Sequence, residues 1–241
     1  MRPRQRAWRP PWRVSLARFF LILAAVAGLG WWGLRFLPPE WDPRAPLDLN
    51  AAPNALTPYR LRWVAQSPAA CFAAFEAAGI AFSRIPDRVS DTGCDIADAG
   101  RLPRNLRVVP PDPIVTCSVA AAWVIFARNT IQPAALEHLG AEVASVRQLG
   151  TYNCRNVNNA SAGRRSQHAR ANAIDIAGFT LRDGREIRLA RDWAGAGREA
   201  AFLRAVHAGG CRWFRTVLGP DYNAAHRDHF HLDMGPWRSC R

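Results

Sequence analysis

The feature that most limits what this chain can fold into is an uncharged apolar run near its N-terminus. Residues 19–34 carry no charge, and the apolar run resumes for two residues after Arg35. A helix needs about 17–25 apolar residues to cross a bilayer. The flanking Arg18 and Arg35 have long side chains that reach the two interfaces. We therefore predict a transmembrane signal anchor over 19–37, with the folded part of the chain after it.

The arginines before this run predict its orientation. Seven arginines and no acidic residue precede Pro38, so about half of the net charge of +13 belongs to this segment. Basic residues beside a span stay in the cytoplasm. We predict a cytoplasmic Arg-rich tail over 1–18 and a single pass through the inner membrane, with the domain in the periplasm. Ala25-Val26-Ala27 resembles a cleavage site, which leaves a cleaved signal peptide as the alternative.

The cysteines agree with export. All six lie beyond the anchor, at Cys71, Cys94, Cys117, Cys154, Cys211 and Cys240. An even number in an exported domain predicts three disulfides, with buried free thiols as the alternative. Cys211 and Cys240 flank the last predicted strand, so we expect them to pair. No Cys-x-x-Cys pair occurs, which argues against a cysteine zinc site.

Proline and apolar periodicity divide the rest of the chain. Residues 38–59 are rich in proline and predict a linker, followed by a domain over 60–241. Predicted helices cover 68–78 with Ser67 as N-cap, 118–128, 133–138, and 197–208 with Gly209 as C-cap. Predicted strands cover 142–149, 173–181, 186–189 and 229–234. We predict an α+β domain with a mainly antiparallel sheet and helices packed on it.

The last predicted strand concentrates histidine. His229, His231 and Asp233 share one face, because side chains alternate along a strand. Phe230 and Leu232 then point into the core. Two imidazoles on one face are costly to bury for packing alone, but they suit a metal ligand and a general base.

A second cluster supplies further candidates for ligands. His168 is followed seven residues later by Asp175, which lies within a predicted apolar strand. Zinc prefers imidazole and carboxylate ligands, and a catalytic zinc site has three protein ligands and one open position. We predict a Zn²⁺ site formed by His168, Asp175 and His231.

These motifs resemble a known family. Ser166-x-His168-x6-Asp175, with a later His229-x-His231, resembles zinc peptidases that include D-alanyl-D-alanine carboxypeptidases and penicillin-insensitive murein endopeptidases. The hedgehog domain shares their fold. The closer resemblance, over about 60–240, is to the bacterial extensin-like C-terminal domain family, and it is carried by three segments. These are Tyr152-Asn153-Cys154-Arg155, residues 166–179 and residues 217–234.

The resemblance implies a role for each candidate residue. His168, Asp175 and His231 would bind zinc in a hedgehog/DD-peptidase-like fold. His229 would be the acid/base group, with His226 beside it where murein endopeptidases also have a histidine. The candidate substrate-binding residues are Ser166 and Arg155. Where the peptidases usually carry Gly, five residues after the Ser, this chain has Ala171.

The predicted function is that of a zinc-dependent peptidase or amidase acting on peptidoglycan stem or cross-link peptides in the periplasm. A non-catalytic zinc domain that binds cell wall or protein remains the alternative. The basic composition is also compatible with nucleic acid. We predict no nucleic-acid partner, because the strongest Arg cluster lies on the cytoplasmic side of the anchor, apart from the fold.

Overall fold

The computed structural model describes residues 11–241, and the side chains from Ser15 onward. The chain divides into two compact units, 1–45 and 46–241. In the first unit, helix α1 covers Pro11–Gly33 and a short 3-10 turn covers Leu34–Phe36. Ser15–Phe36 is long and apolar enough to cross a membrane, a property that signal sequences near an N-terminus share. Of the predicted cytoplasmic tail, residues 1–10 lie outside the described residues.

The second unit begins inside the segment predicted as a linker. Leu47 and Leu49 are buried and belong to the hydrophobic core, and helix α2 already starts at Thr57. Pro58 lies in the first turn of α2, where proline is tolerated because its missing N–H would have no partner within the helix. A proline-rich composition therefore excludes a long helix, but it does not prevent this segment from packing on the domain.

The remaining helices belong to the second unit. Their bounds are α2 Thr57–Val64, α3 Pro68–Ala78, α4 Cys117–Phe126, α5 Gln132–Leu139, α6 Leu189–Asp192 and α7 Arg198–Trp213. Ser67 caps α3 as predicted, by accepting a hydrogen bond from the Ala70 amide, and Gly79 follows the helix in the left-handed conformation. Every residue of α4 is buried. A π-helical turn, Ala127–Ile131, joins α4 to α5.

The strands form one small and one large sheet. Their bounds are β1 Ala99–Arg101, β2 Arg107–Val109, β3 Ile114–Thr116, β4 Val143–Gly150, β5 Ala173–Leu181, β6 Glu186–Arg188, β7 Thr216–Leu218, β8 Phe230–Asp233 and β9 Ser239–Cys240. β1 pairs with β3, and the large sheet has the order β2-β4-β5-β8-β7-β9, with β6 also paired to β5. The pairs β2–β4 and β7–β9 are parallel and the others are antiparallel. The predicted α+β class with a mainly antiparallel sheet is confirmed.

Three disulfides connect segments of the domain that are distant in sequence. The bridges are Cys71–Cys117, Cys94–Cys154 and Cys211–Cys240. The predicted pairing of Cys211 with Cys240 is confirmed, and it ties α7 to β9. No free cysteine remains among the residues that the structure describes.

The predicted end of α7 at Gly209 is wrong. The helix continues through Gly209 and Gly210 to Trp213, whose indole Nε1 donates to Thr130 Oγ1 at 2.9 Å. A Cβ at Gly209 would overlap Thr130 Cγ2. Gly209 permits close packing of α7 on the π turn, and that contact outweighs the low helix propensity of glycine.

We expect Gly209→Ala to destabilise the fold although alanine favours helices. Overpacking costs about 1–3 kcal/mol, against a propensity gain of roughly 1 kcal/mol. The free energy of unfolding should fall by about 1 kcal/mol in a denaturant titration. The control is Gly209→Ala in a Thr130→Ser background, which removes the overlapping methyl and keeps the hydroxyl. There the loss should shrink; a stabilised Gly209→Ala would contradict the packing explanation.

Candidate metal centre

The centre of the large sheet brings two of the predicted ligands together. Asp175 in β5 lies directly opposite His231 in β8, in an antiparallel pair. Side chains at directly opposed positions project from the same face. Phe230 and Leu232, on either side of His231, belong to the hydrophobic core, as predicted. The register of these two strands therefore fixes the carboxylate beside the imidazole.

The third predicted ligand comes from a short turn before β5. His168 lies in a 3-10 turn, Gln167–Arg170, whose N-cap is Ser166. The Ser166 hydroxyl accepts from the His168 amide at 3.3 Å. The carbonyl of His168 in turn accepts from the Asn153 amide. These backbone contacts hold the turn, so that the ring of His168 projects toward β5.

Three electron-pair donor atoms converge at this point. His168 Nε2 lies 3.1 Å from Asp175 Oδ1 and 3.1 Å from His231 Nδ1. The third distance, between His231 Nδ1 and Asp175 Oδ1, is 3.0 Å. All three residues are buried, with 2%, 9% and 8% of their surface exposed. The atoms form a nearly equilateral triangle, as three ligands on one face of a metal ion do.

In each histidine ring, the nitrogen that is not part of the triangle already has a hydrogen-bond partner. We call it the outer nitrogen and the one in the triangle the inner nitrogen. His168 Nδ1 lies 3.3 Å from the Thr151 carbonyl oxygen, which accepts only, so this nitrogen donates. His231 Nε2 donates to Asp233 Oδ2 at 3.0 Å. In the neutral tautomers the inner nitrogens therefore carry lone pairs aimed at a carboxylate oxygen. Three acceptors about 3 Å apart repel one another unless a cation lies between them, and the residues thus fit a bound metal ion.

The carboxylates around His231 also favour its protonated form. Burial alone would lower the pKa of His231, but its hydrogen bonds to Asp175 and Asp233 raise that pKa to about 9. Burial alone would raise the pKa of Asp175, yet the hydrogen bonds from His168 and His231 hold it well below its usual range. The metal-free site at neutral pH is therefore an imidazolium beside a carboxylate.

Two further predicted residues flank this triangle. His229 Nδ1 donates to Asp228 Oδ1 at 2.9 Å, and its Nε2 lies 3.8 Å from Asp175 Oδ2. His226 Nδ1 contacts Asn223 Oδ1 at 2.8 Å. Burial and the nearby His231 and His229 rings lower the pKa of His226 to about 4. His226 is therefore neutral at physiological pH.

A cavity of about 430 Å³ opens onto the triangle. It is lined by six of the seven predicted site residues: Arg155, Ser166, Asp175, His226, His229 and His231. His168 does not line the cavity, but it contacts Asp175 and His231, which do. Tyr222 and Trp237 also line this cavity, which we call the metal pocket. Sequence reasoning did not identify these two aromatics, and it could not identify the Thr151 carbonyl, because a backbone atom has no residue-type signal.

The turn that carries His168 ends in an unusual conformation. Ala171 has φ of 53°, in the left-handed region that favours glycine. Its amide donates to the His168 carbonyl, and its side chain is fully buried. Alanine thus adopts here a backbone conformation that glycine would take without strain.

Another group of candidate ligand residues does not form a metal site. His207, Cys211 and Cys240 lie close together. Both cysteines are used in a disulfide, so neither offers a thiolate.

Comparison with known proteins identifies one family. The family model described as extensin-like protein C-terminus matches residues 69–241. No curated protein and no solved structure matches the chain.

We expect Asp233→Asn to weaken metal binding. Asp233 accepts from His231 through Oδ2 and from the Gly235 amide through Oδ1. Asparagine has one acceptor oxygen, so one of these contacts is lost, and loss of such a partner costs about 10–100-fold in affinity. A zinc titration with a competing chelator measures this. Asp228→Asn is the matched control, because Asp228 contacts His229 and no predicted ligand. Equal affinities of the two variants would contradict the orienting role of Asp233.

Metal binding should release a proton near neutral pH. The raised pKa of His231, about 9, means that a metal ion must displace its proton. Because the metal ion competes with the proton on His231, the apparent affinity for the metal should fall about tenfold for each pH unit below 9. Calorimetry at pH 7 in buffers of different ionisation enthalpy counts the protons. His231 should contribute about one proton per metal ion, to which ionisation of a zinc-bound water would add. Release of no proton would contradict the predicted ligand role of His231.

Proposed function

Because this chain belongs to the family of extensin-like protein C-termini, we propose that its metal pocket is the active site of a zinc-dependent peptidase or amidase. Its substrates would be the stem or cross-link peptides of peptidoglycan. The observation that carries this proposal is the triangle of His168, Asp175 and His231, two of which line a pocket that contains two more histidines. A purely structural zinc site is normally closed by four protein ligands, whereas a catalytic site has three.

The order of the motifs supports the same function. Ser166-x-His168-x6-Asp175 followed by His229-x-His231 has the spacing of the hedgehog/DD-peptidase-like zinc peptidases. In this chain that spacing corresponds to a turn, the strand β5 and the strand β8 that pairs with it. We infer that the domain is related to that zinc fold.

Zinc, when bound, lowers the pKa of a water ligand to about 7 and polarises a carbonyl oxygen. The chain itself supplies the proton transfers. Asp228 fixes the ring of His229 through Nδ1 and leaves Nε2 directed toward the Asp175 side of the pocket. His229 Nε2 would take the proton from the attacking water and return it to the leaving amine nitrogen as the C–N bond breaks.

Other pocket residues would position the substrate. Arg155 lines the pocket and can bind a peptide carboxylate through its guanidinium. Ser166 also lines it, while its hydroxyl caps the turn of His168. His226 is neutral, and because its Nδ1 contacts Asn223 Oδ1, its Nε2 would accept a hydrogen bond from the substrate.

The first unit supports a location at the inner membrane. The span Ser15–Phe36 would hold the chain as a single-pass anchor. Arginines before the span would stay in the cytoplasm. The domain would then face the periplasm, where its three disulfides are stable and peptidoglycan is within reach.

A non-catalytic zinc domain is the second candidate function, and His226 is the observation that favours it. Its ring centroid lies 5.9 Å from that of His231, and it is neutral, as a metal ligand must be. A rotation of its ring toward the triangle would make it a fourth protein ligand. The site would then be closed, and the domain would bind wall polymer or a protein without cleaving it.

We expect His231→Ala and His229→Ala to have different effects. His231→Ala removes a predicted ligand, so bound zinc and domain stability should both fall. His229→Ala should keep its zinc and lose about 10²–10⁴-fold in hydrolysis. Elemental analysis gives the zinc content. Mass spectrometry of fragments released from purified peptidoglycan gives the activity.

His138→Ala is the control, because this histidine lies on α5 outside the pocket and should change neither quantity. If His229→Ala loses zinc as His231→Ala does, His229 is a ligand and its assigned role is wrong. If wild-type protein holds zinc but releases no fragments, and His226→Ala loses the metal, the non-catalytic function is favoured.

A further inference from the structure

A second, larger cavity adjoins the metal pocket. It has a volume of about 1050 Å³ and runs between α2, the start of α3, residues 95–98 and the strand ends near the metal centre. Five arginines line it, at Arg62, Arg164, Arg165, Arg170 and Arg215, against two acids, Asp95 and Asp98. We call this cavity the basic groove.

Three of these arginines are available to bind a ligand. Arg62, Arg164 and Arg170 are exposed, and among the described residues none of the three has an ion pair or a hydrogen-bonded side-chain partner. The other two arginines are already hydrogen-bonded to backbone carbonyls. Arg165 donates to the Thr92 carbonyl, and Arg215 donates to the carbonyls of Gly235 and Pro236.

One ridge separates the basic groove from the metal pocket. Six residues line both cavities: Arg164, Arg165, Ser166, Gln167, Gly235 and Trp237. The ridge is tightly built, because Gln167 Oε1 accepts from the Asn172 amide side chain at 2.8 Å and a Cβ at Gly235 would lie 2.8 Å from Gln167. The Gly235 amide donates to Asp233, whose other oxygen holds His231. Hydrogen bonds through Asp233 therefore connect the ridge directly to the candidate metal centre.

Trp237 gives this ridge an exposed aromatic face. Its side chain is 64% exposed, and the guanidinium of Arg164 lies 5.7 Å from its ring centroid. An exposed tryptophan between two cavities, with a cation beside it, is suited to contact a ligand that extends from one cavity into the other.

We propose that the basic groove binds a carboxylate-bearing peptide of the same polymer whose neighbouring peptide occupies the metal pocket. Peptidoglycan peptides carry several carboxylates, which pair with guanidinium groups, and a free amine in the peptide suits Asp95 and Asp98. The mixed lining is less suited to a nucleic acid, whose uniform line of phosphates would meet both aspartates. The inference rests on the proposed function for its ligand, but it concerns binding and requires no hydrolysis.

The test compares two triple charge reversals in the full chain in mild detergent. One variant carries Arg62→Glu, Arg164→Glu and Arg170→Glu. The matched control carries Arg107→Glu, Arg147→Glu and Arg198→Glu, at exposed arginines that line neither cavity. Both are made in a His229→Ala background so that the polymer stays intact. Thermal unfolding checks that both variants fold.

Co-sedimentation with purified peptidoglycan sacculi measures binding. We expect the groove variant to bind at least about tenfold more weakly than the control, since hydrogen bonds to charged groups are lost. Trp237→Ala should also weaken binding several-fold, whereas Trp63→Ala, at a tryptophan that is 61% exposed but lines neither cavity, should not.

Equal binding by the two triple variants would overturn the proposal. So would a groove variant that keeps its affinity for sacculi but loses affinity for phosphatidylglycerol vesicles or duplex DNA. Groove-dependent binding by a wild-type chain that releases no fragments would support the groove while rejecting the hydrolase. If the wild-type chain releases fragments but its binding does not depend on the groove, the hydrolase is supported and the groove is rejected.

Discussion

The site depends on one constraint, the antiparallel register that sets Asp175 against His231. This pairing puts a carboxylate and an imidazole on the same face at the middle of the sheet. The neighbouring side chains of Phe230 and Leu232 are buried in the hydrophobic core, on the opposite face of the strand. A shift of one residue would turn the imidazole into the core and a phenyl ring into the pocket. The hydrophobic core therefore fixes the geometry of the polar centre.

Backbone and side-chain acceptors then decide which atoms of the rings face inward. The Thr151 carbonyl, which directly follows β4, sets the tautomer of His168, and Asp233 does the same for His231. Both contacts make the inner nitrogens electron-pair donors. Because Asp233 also holds the Gly235 amide, it connects the metal centre to the ridge of the basic groove. A substitution at Asp233 therefore affects more than one feature of the domain.

The proposed activity and the proposed groove together describe an enzyme that binds a polymer at two places. The metal pocket would hold the peptide that is cut, and the basic groove would hold its neighbour. Three disulfides connect distant segments of the domain, and one of them, Cys94–Cys154, fastens the segment that carries Arg155. Such cross-links would favour the proposed catalysis, because less of the site would have to become ordered when the substrate binds.

The sequence alone determined the features that depend on near neighbours. The apolar run, the capped helix α3, the alternation in β8 and the residue types of the triangle all follow from short spacings. Tertiary structure decided what depends on distant partners. The chain continues α7 past Gly209 because Thr130 lies against it, and it buries Leu47 and Leu49 from a proline-rich segment. The Thr151 carbonyl and the basic groove likewise arise from contacts between remote segments, which no local pattern encodes.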